Sequence, residues 1–199
     1  YMENSDLYQQ MTRTVSVSAP VKHGLVTMDS TSVGGYGEEY LDIMGYGIGA
    51  GRSHLYSDMA SRQKVAFIGD YVAEELYGSA ENAVGETIKI NGDAYTVVGV
   101  AERQTEDAAD FDDGCTDDFV WIPYSRAVKL SRNANITSYT FTSWDTDSTD
   151  ACTEALESFL YDHLLNENLY TVTAMSSLLD SLNEQIGMMS MMLGGIAGI

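Results

Sequence analysis

The stretch Glu86–Val100, ETIKINGDAYTVVGV, carries the strongest structural signal in this chain of 199 residues. Apolar and polar residues alternate on both sides of Asn91-Gly92, as they do in strands with one buried face. Asn-Gly is the dipeptide that best tolerates the two positive φ angles of a type I′ turn. The sequence therefore predicts a β-hairpin whose turn lies at Asn91 and Gly92.

Further strand and helix signals lie on both sides of the hairpin. Short apolar or alternating runs predict strands, and apolar residues three or four apart predict helices. The predicted strands are Thr14–Ala19, Leu25–Val33, Val65–Ile68, Phe119–Pro123 and Ile136–Trp144, and the main predicted helices are Asp70–Tyr77 and Ser148–Leu165. Glycine is expected to end the second strand at Gly34-Gly35 and to make a loop of Gly45–Gly51. This mixture predicts an α+β fold.

The segment Glu102–Asp118 is strongly acidic and holds one basic residue, Arg103. Mutual repulsion, with Phe111 as the single bulky apolar residue, predicts a mobile excursion from the fold. Exposed carboxylates attract basic partners, so the segment predicts a recognition surface for a cationic peptide or an adaptor protein. The candidate partner-binding residues are Asp107, Asp110, Asp112, Asp113, Asp117 and Asp118.

The same carboxylates raise the question of a metal site. They do not fit the EF-hand template, because the glycine of the loop falls in the wrong register. The segment is interpreted as a solvated acidic loop with no metal site, and a loosely held cation is the alternative.

Composition excludes several classes of function. Ten Lys and Arg against 30 Asp and Glu give a net charge of -20, which argues against binding to nucleic acid or to anionic lipid. GxSxG and HExxH motifs are absent, and the three histidines are expected to be ordinary surface or edge residues. Gly45–Gly51 lacks the Lys-Ser/Thr pair of a phosphate loop. The sequence thus predicts neither catalytic residues nor a cofactor.

Two cysteines, Cys115 and Cys152, leave two interpretations open. In an extracytoplasmic chain they can form a disulfide, and this pairing is the prediction. The alternative is two unrelated thiols, with Cys115 exposed in the acidic segment and Cys152 facing the core.

The end of the sequence is apolar. Gln185–Ile199 carries no charge and is rich in methionine and glycine. It is shorter than the roughly 20 apolar residues that span a bilayer. We expect one helix over 177–199, in which 186–199 is the start of a truncated transmembrane helix; a buried C-terminal helix is the alternative.

Seven short motifs, in their order and spacing, resemble the extracytoplasmic core domain of MacB/FtsX-type ABC transporter permeases. The motifs are YGEEYLDIMG at 36–45, GR at 51–52, VAFIG at 65–69, LYG at 76–78, VGETI at 84–88, YTVVGV at 95–100 and VWIPY at 120–124. Each is weak alone, but the ordered set covers most of the chain. The apolar run at 186–199 falls where the second membrane helix of that family begins.

The resemblance implies a fold of two lobes. A ferredoxin-like porter lobe would comprise 1–34 and 131–185, and a β-rich lobe would be inserted over 35–130. Such permeases have four membrane helices, with this domain between the first and the second on the extracytoplasmic side of the cell membrane.

The resemblance also implies a non-catalytic function. ATP hydrolysis belongs to a separate ABC ATPase subunit or domain, and the permease forms a homodimer or a heterodimer. The domain would transmit ATP-driven motion for export of, or response to, a peptide, antibiotic or lipoprotein substrate. The alternative function is a free-standing extracellular binding or adhesion module that uses the acidic segment as its recognition surface.

Overall fold

The structure is a computed structural model that describes residues 8–106, 110–131, 136, 138–144 and 148–174. The strands are β1 Gln10–Val17, β2 Val21–His23, β3 Val26–Met28, β4 Ser32–Tyr36, β5 Ile48–Gly51, β6 Val65–Ile68, β7 Thr87–Ile90, β8 Asp93–Ala101, β9 Phe119–Pro123 and β10 Ser138–Thr142. The α-helices are α1 Tyr40–Met44, α2 Tyr56–Ala60, α3 Asp70–Tyr77, α4 Ala80–Ala83, α5 Tyr124–Leu130 and α6 Thr149–Leu164. A short 3-10 helix, Glu167–Leu169, follows α6.

These strands form one mixed sheet in the order β10-β1-β4-β9-β6-β8-β7-β2-β3, with β5 paired to β8 off this path. The predicted hairpin is confirmed: β7 and β8 are antiparallel and Ile90 faces Asp93. Asn91 and Gly92 have φ angles of 52° and 85°, as a type I′ turn requires. The combination of this sheet with the six α-helices of the described residues is the predicted α+β fold.

Gly34 and Gly35 do not end a strand, contrary to the prediction; both lie inside β4. A Cβ atom at Gly35 would overlap the Cβ of Ala127 on α5. Glycine therefore serves close packing of a helix on the sheet here, which is one of the few reasons for glycine inside a strand.

The glycine-rich stretch Gly45–Gly51 is also more regular than expected. Its second half is β5, which is antiparallel to β8 and pairs Gly51 with Gly99. The register shifts between Ile48 and Ala50, and such irregularity is common where glycine replaces bulkier strand residues. The prediction of a loop over the whole stretch was therefore wrong.

The chain divides into two compact units: Gln10–Phe141, and Tyr1–Gln9 together with Thr142–Ile199. The first, unit A, holds β1 to β9 and most of β10. Its main core is built from the apolar residues of the sheet and of α3 to α5, including Val15, Ile68 and Val97, none of which exposes any surface. The second, unit B, contains α6.

In unit B, the residues before β1 are tied to the last part of the described chain. The Gln9 amide donates to the Thr142 carbonyl at 2.8 Å. Tyr8 is only 4% exposed, and its hydroxyl donates to the carbonyl of Cys152 on α6 at 3.4 Å. The buried ring of Tyr8 and these two hydrogen bonds join the two segments of unit B.

The boundaries of these units differ from those of the predicted lobes. The predicted porter segment contributes β2 and the start of β4, and these pair with β7 and β9 of the predicted inserted lobe. Val15 and Val97 share the sheet but lie on strands that are not neighbours. The division into lobes at 34 and 131 stays a prediction.

The expected helix over 177–199 lies outside the described residues. Among the residues that are described, no helix is both long and apolar enough to cross a membrane.

Candidate functional site

The acidic segment Glu102–Asp118 connects β8 to β9, and we call it the acidic loop. Of the six candidate partner-binding residues, Asp107 lies outside the described residues. Asp110, Asp112 and Asp113 are exposed, whereas Asp117 and Asp118 are buried at 0% and 3% exposure. The structure thus separates the candidates into an exposed group and a buried pair.

The carboxylate of Asp117 is enclosed by backbone donors. The amide of Gln104 donates to both of its oxygens, at 3.0 and 3.2 Å, and the amide of Thr105 donates to Oδ2 at 2.8 Å. Hydrogen bonds to an ionised acceptor are stronger than those between neutral groups. Asp117 therefore fixes the start of the acidic loop to its end.

Phe111 provides a second attachment for the loop. Its ring makes an edge contact with Tyr71 of α3, with 5.2 Å between ring centroids. The Arg103 guanidinium lies 3.5 Å from the centroid of the same ring and 3.8 Å from Glu74 of α3. The described part of the loop therefore packs on α3 through Phe111 and Arg103, and the mobility of the segment stays a prediction.

An open depression of about 550 Å³ lies on the surface of the loop. Its lining includes the exposed acids Glu106 and Asp110 together with Cys115, which is partly exposed. This depression is where an exposed cationic group would meet carboxylates and a thiol.

Both cysteines carry thiols in this structure, Cys115 partly exposed and Cys152 buried. Cys115 belongs to unit A and Cys152 to unit B. The predicted disulfide between them stays a prediction.

The sequence motifs of the resemblance converge on a second feature, an aromatic cluster on unit A. Tyr36 and Tyr40 stack at 3.8 Å between centroids, and the edge of Tyr40 meets Trp121 at 4.9 Å. Phe119 and Trp121 stack at 4.1 Å, and Phe67 stacks on Trp121 at 5.8 Å. Burial raises the pKa of the Tyr40 hydroxyl, and the neighbouring Tyr36 adds to this effect.

His54 lines the small cavity beside this aromatic cluster. It is 7% exposed, so the prediction of an ordinary surface or edge histidine was wrong for this residue. Burial lowers its pKa to about 4 against a smaller opposing effect of Asp58. The imidazole is therefore neutral at pH 7, and its ring makes an edge contact with Phe67 at 6.5 Å between centroids.

Next to His54, the buried Asp58 is paired with Arg52. The Arg52 guanidinium donates to the Asp58 carboxylate at 2.7 Å, and the Leu55 amide donates to the same carboxylate at 2.9 Å. These bonds keep the pKa of Asp58 below its usual value although burial alone would raise it. The pair links the start of the connection between β5 and β6 to α2 within the same connection.

Ser30 and Thr31 were missed by sequence reasoning although they lie beside the acidic loop. They precede β4, which is parallel to β9 and pairs Ser32 with Phe119. The Ser30 hydroxyl donates to the carboxylate of Asp113. This proximity follows from the parallel pairing of β4 with β9, and no local sequence signal predicts that pairing.

Clustered carboxylates can also bind metal ions. Among the described residues, no group of three or more His, Cys, Asp or Glu side chains is arranged to hold a metal ion. The acidic loop presents exposed carboxylates to solvent, and its buried Asp117 accepts hydrogen bonds from backbone amides.

The sequence is similar to those of export proteins. It is 29% identical over 172 residues to the macrolide export ATP-binding/permease protein MacB of Chlorobium luteolum, covering 84% of this chain and 25% of that protein. It is 28% identical over 182 residues to the pyoverdine export ATP-binding/permease protein PvdT of Pseudomonas savastanoi pv. phaseolicola, covering 91% and 27%. The chain thus spans about a quarter of the length of these relatives.

Solved structures show the same fold. The periplasmic region of MacB from Actinobacillus actinomycetemcomitans superposes with a TM-score of 0.64 at 22% identity, covering 79% of this chain and 70% of that one. The extracellular domain of the noncanonic ABC-type transporter YknZ from Gram-positive bacteria gives a TM-score of 0.70 at 17% identity, covering 87% and 85%.

The family model of the MacB-like periplasmic core domain matches residues 2–159, which include all of unit A. The resemblance seen in the seven motifs is thereby confirmed. The chain belongs to the family of MacB-like periplasmic core domains and is an extracytoplasmic domain of a MacB-type ABC transporter permease.

Proposed function

We propose that this domain transmits ATP-driven motion across the membrane for export, without catalysing a reaction itself. The observation that supports the proposal is the attachment of Gln9 to Thr142, the last residue of β10, and of Tyr8 to Cys152 on α6. In a permease of this type, the segments on both sides of the domain lead to membrane helices. Unit B is therefore suited to receive their movement, and unit A is suited to deliver it to cargo or adaptor.

The chain crosses between the units at Gln9/Gln10 and at Phe141/Thr142, and a flexible insertion at the first crossing tests this proposal. The chain passes from unit B to unit A between Gln9 and Gln10. A Gly-Gly-Ser insertion there, in the complete permease reconstituted with its ATPase module, should lower the amount of substrate exported per ATP hydrolysed several-fold. The loss is expected because a flexible linker does not carry force between two folded units.

The matched control is the same insertion between Gly24 and Leu25, the exposed turn of the β2–β3 hairpin. This variant should export as the natural protein does. Thermal unfolding of both variants establishes that each is folded. Unchanged export per ATP in the folded Gln9/Gln10 variant would overturn the proposal.

We further propose that the exposed part of the acidic loop binds positive charge on the cargo or adaptor. The partner would be a cationic peptide or a basic surface of an adaptor protein. Asp110 and Asp112 are exposed, so a double Asp→Asn variant should weaken binding of a cationic peptide. The control removes two charges elsewhere, in the exposed residues Asp42 and Glu81. Equal weakening by both variants, or affinity that does not fall as salt rises, would contradict a site on the loop.

The remaining partners are proposals of the same kind. The ABC ATPase module would act through the membrane part, and the permease would work as a homodimer or a heterodimer. The localisation that follows is the cell membrane, with this domain on its extracytoplasmic side. The alternative of a free-standing binding module was wrong, because the chain belongs to a family of permease domains.

A further inference from the structure

Three of the sequence motifs meet at the small cavity beside the aromatic cluster of unit A. The motifs are those at 36–45, 65–69 and 120–124, and each contributes residues to the lining. The lining residues that bear on a ligand are Glu38, Tyr40, Ser53, His54, Phe67 and Trp121. None of the residues that line this cavity belongs to the acidic loop, so the two features are separate.

The cavity has a buried side and a partly exposed side. His54, Phe67 and Trp121 are 7%, 1% and 6% exposed, whereas Glu38 and Ser53 are partly exposed. Its volume is about 10 Å³, close to the least that holds one water-sized group. A ligand would therefore place only a small terminal group in the cavity.

His54 brings a polar atom without a partner to this cavity. Its Nε2 atom is buried and makes no hydrogen bond with any described residue. Burial lowers the pKa of His54 to about 4, so the ring is neutral at pH 7, and in the Nδ1–H tautomer Nε2 is an acceptor. A buried acceptor that lacks a donor costs free energy. The unmet need is therefore for a hydrogen-bond donor.

Two further acceptors line the same cavity. The carboxylate of Glu38 takes part in none of the ion pairs of the described residues, which join Arg52 to Asp58, Lys64 to Asp93 and Arg103 to Glu74. The Ser53 hydroxyl donates to the His54 carbonyl, which leaves its lone pairs to accept. The lining contains no Lys or Arg. The donor that fits it best is therefore positively charged.

We propose that this cavity binds a primary ammonium group, with Nε2 of His54, the Ser53 hydroxyl and the Glu38 carboxylate as acceptors. Such a group is close to water in size and carries three N–H donors, as the lysine side chain does. A hard metal ion is a poorer occupant, because it needs about six to eight oxygen ligands and the lining is mainly aromatic. This site is additional to the acidic loop and does not depend on the partner proposed for it.

Methylammonium is the smallest organic probe of the site in this 199-residue chain. Its chloride should shift the indole N–H signal of Trp121 in nuclear magnetic resonance spectra, with a saturable curve in the millimolar range, since two heavy atoms give little binding energy. The indole of Trp144, 60% exposed and not in the lining, is the internal reference. KCl and tetramethylammonium chloride carry the same charge without N–H donors and should not reproduce the shift.

Variants assign the acceptors. His54→Phe keeps an aromatic ring and Glu38→Gln keeps the side-chain length, and each should weaken methylammonium binding at least tenfold. The control Asp110→Asn removes an exposed charge of the acidic loop and should bind as the natural chain does. Amide spectra of each variant establish that it is folded.

The comparison with Nα-acetyl-lysine amide identifies the source of the group. Affinity equal to or above that of methylammonium would assign a lysine side chain of a peptide, and weaker binding would assign a small free amine. Shifts of Trp121 that KCl or tetramethylammonium reproduces would overturn the site. So would the absence of a saturable shift in the natural chain, the result expected if the cavity holds only a buried water.

Discussion

The connection that precedes β8 and the connection that follows it are held in place by different interactions. The first is the two-residue turn Asn91-Gly92, which is specified by backbone conformation at those two positions. The second is the acidic loop, whose described part is held by the buried Asp117 and by Phe111 on α3. A short connection thus depends on its own residues, whereas a long one depends on the partners that it finds elsewhere in the fold.

A third connection, between β5 and β6, behaves like the acidic loop. Asp58 accepts bonds from Arg52 and from the Leu55 amide, and the neutral His54 packs beside Phe67. These two connections each contain a buried aspartate that accepts hydrogen bonds from donors of the same connection, and each aspartate is a point at which the comparison can be tested.

Removal of the Asp117 carboxylate should have the largest effect. Asp117→Ala leaves the amides of Gln104 and Thr105 without their charged acceptor, and we expect a loss of about 3 kcal/mol in the free energy of unfolding. Urea denaturation measures the loss, and amide hydrogen exchange at Gln104 and Thr105 locates it. Asp112→Ala, on the exposed side of the loop, should change the stability by less than about 0.5 kcal/mol. Slow exchange of both amides in Asp117→Ala would contradict the assigned role.

Acidification should weaken the chain through His54. Its pKa in the folded chain is about 4, below the value of about 6.5 in an unfolded chain. The unfolded state therefore binds more protons between these values, so stability contributed by His54 is present above pH 6.5 and falls as the pH drops toward 4. From pH 7.5 to pH 5 we expect a loss of about 2 kcal/mol.

His54→Gln separates the contribution of His54 from those of other titrating groups. One such group is Asp118, whose raised pKa changes stability in the opposite direction as the pH falls. The difference in unfolding free energy between pH 7.5 and pH 5 should shrink in His54→Gln and remain in the exposed control His163→Gln. An identical pH dependence in the natural chain and in His54→Gln would show that the histidine is not buried in its neutral form.

Truncation of the loop's apolar anchor should have a smaller effect. Phe111→Ala removes the contacts with Tyr71 and Arg103, and we expect a loss of about 2 kcal/mol because the ring is only partly buried. Proteolysis of the loop should accelerate in this variant. A loop that resists proteolysis as well as the natural one does would mean that Asp117 alone holds it.

The hairpin turn should be the least sensitive of the tested sites. Asn91→Val places a β-branched residue at a φ of 52°, which costs about 1–2 kcal/mol of strain. Asn91→Gly avoids this strain and serves as the control in thermal unfolding. An unchanged melting temperature in Asn91→Val would contradict the view that this turn is specified by the conformation of its own two residues.

The comparison also explains which parts of the fold were predictable. Several elements follow from residues adjacent in sequence. The turn at Asn91-Gly92 and the end of α3 at Gly78, where φ is 79°, depend on local backbone conformation. β6 and β9 follow from short apolar runs. α3 spans Asp70–Tyr77, as predicted. Its main features were therefore available from the sequence.

The remaining features depend on residues that are distant in the chain. Gly35 lies inside a strand because Ala127 packs against it, and Asp117 is buried because two amides 12 and 13 residues away point at it. High acidity predicted exposure for Asp117 and Asp118 because composition does not report on such partners. The partner-binding role of the acidic loop stays a prediction, and the burial of Asp117 and Asp118 within it was not predictable from composition.

The central claim, that ATP turnover moves one unit of this domain relative to the other, is tested most directly by a distance measurement. Spin labels at Tyr161→Cys in unit B and Leu25→Cys in unit A, both exposed positions, report on the two units in the complete permease lacking other reactive cysteines. Labels at Leu25→Cys and Ile48→Cys, both in unit A, form the control. Electron–electron resonance distances should change between the nucleotide-free and vanadate-trapped states for the first pair and stay constant for the second. Identical distance distributions for the first pair in both states would contradict the claim.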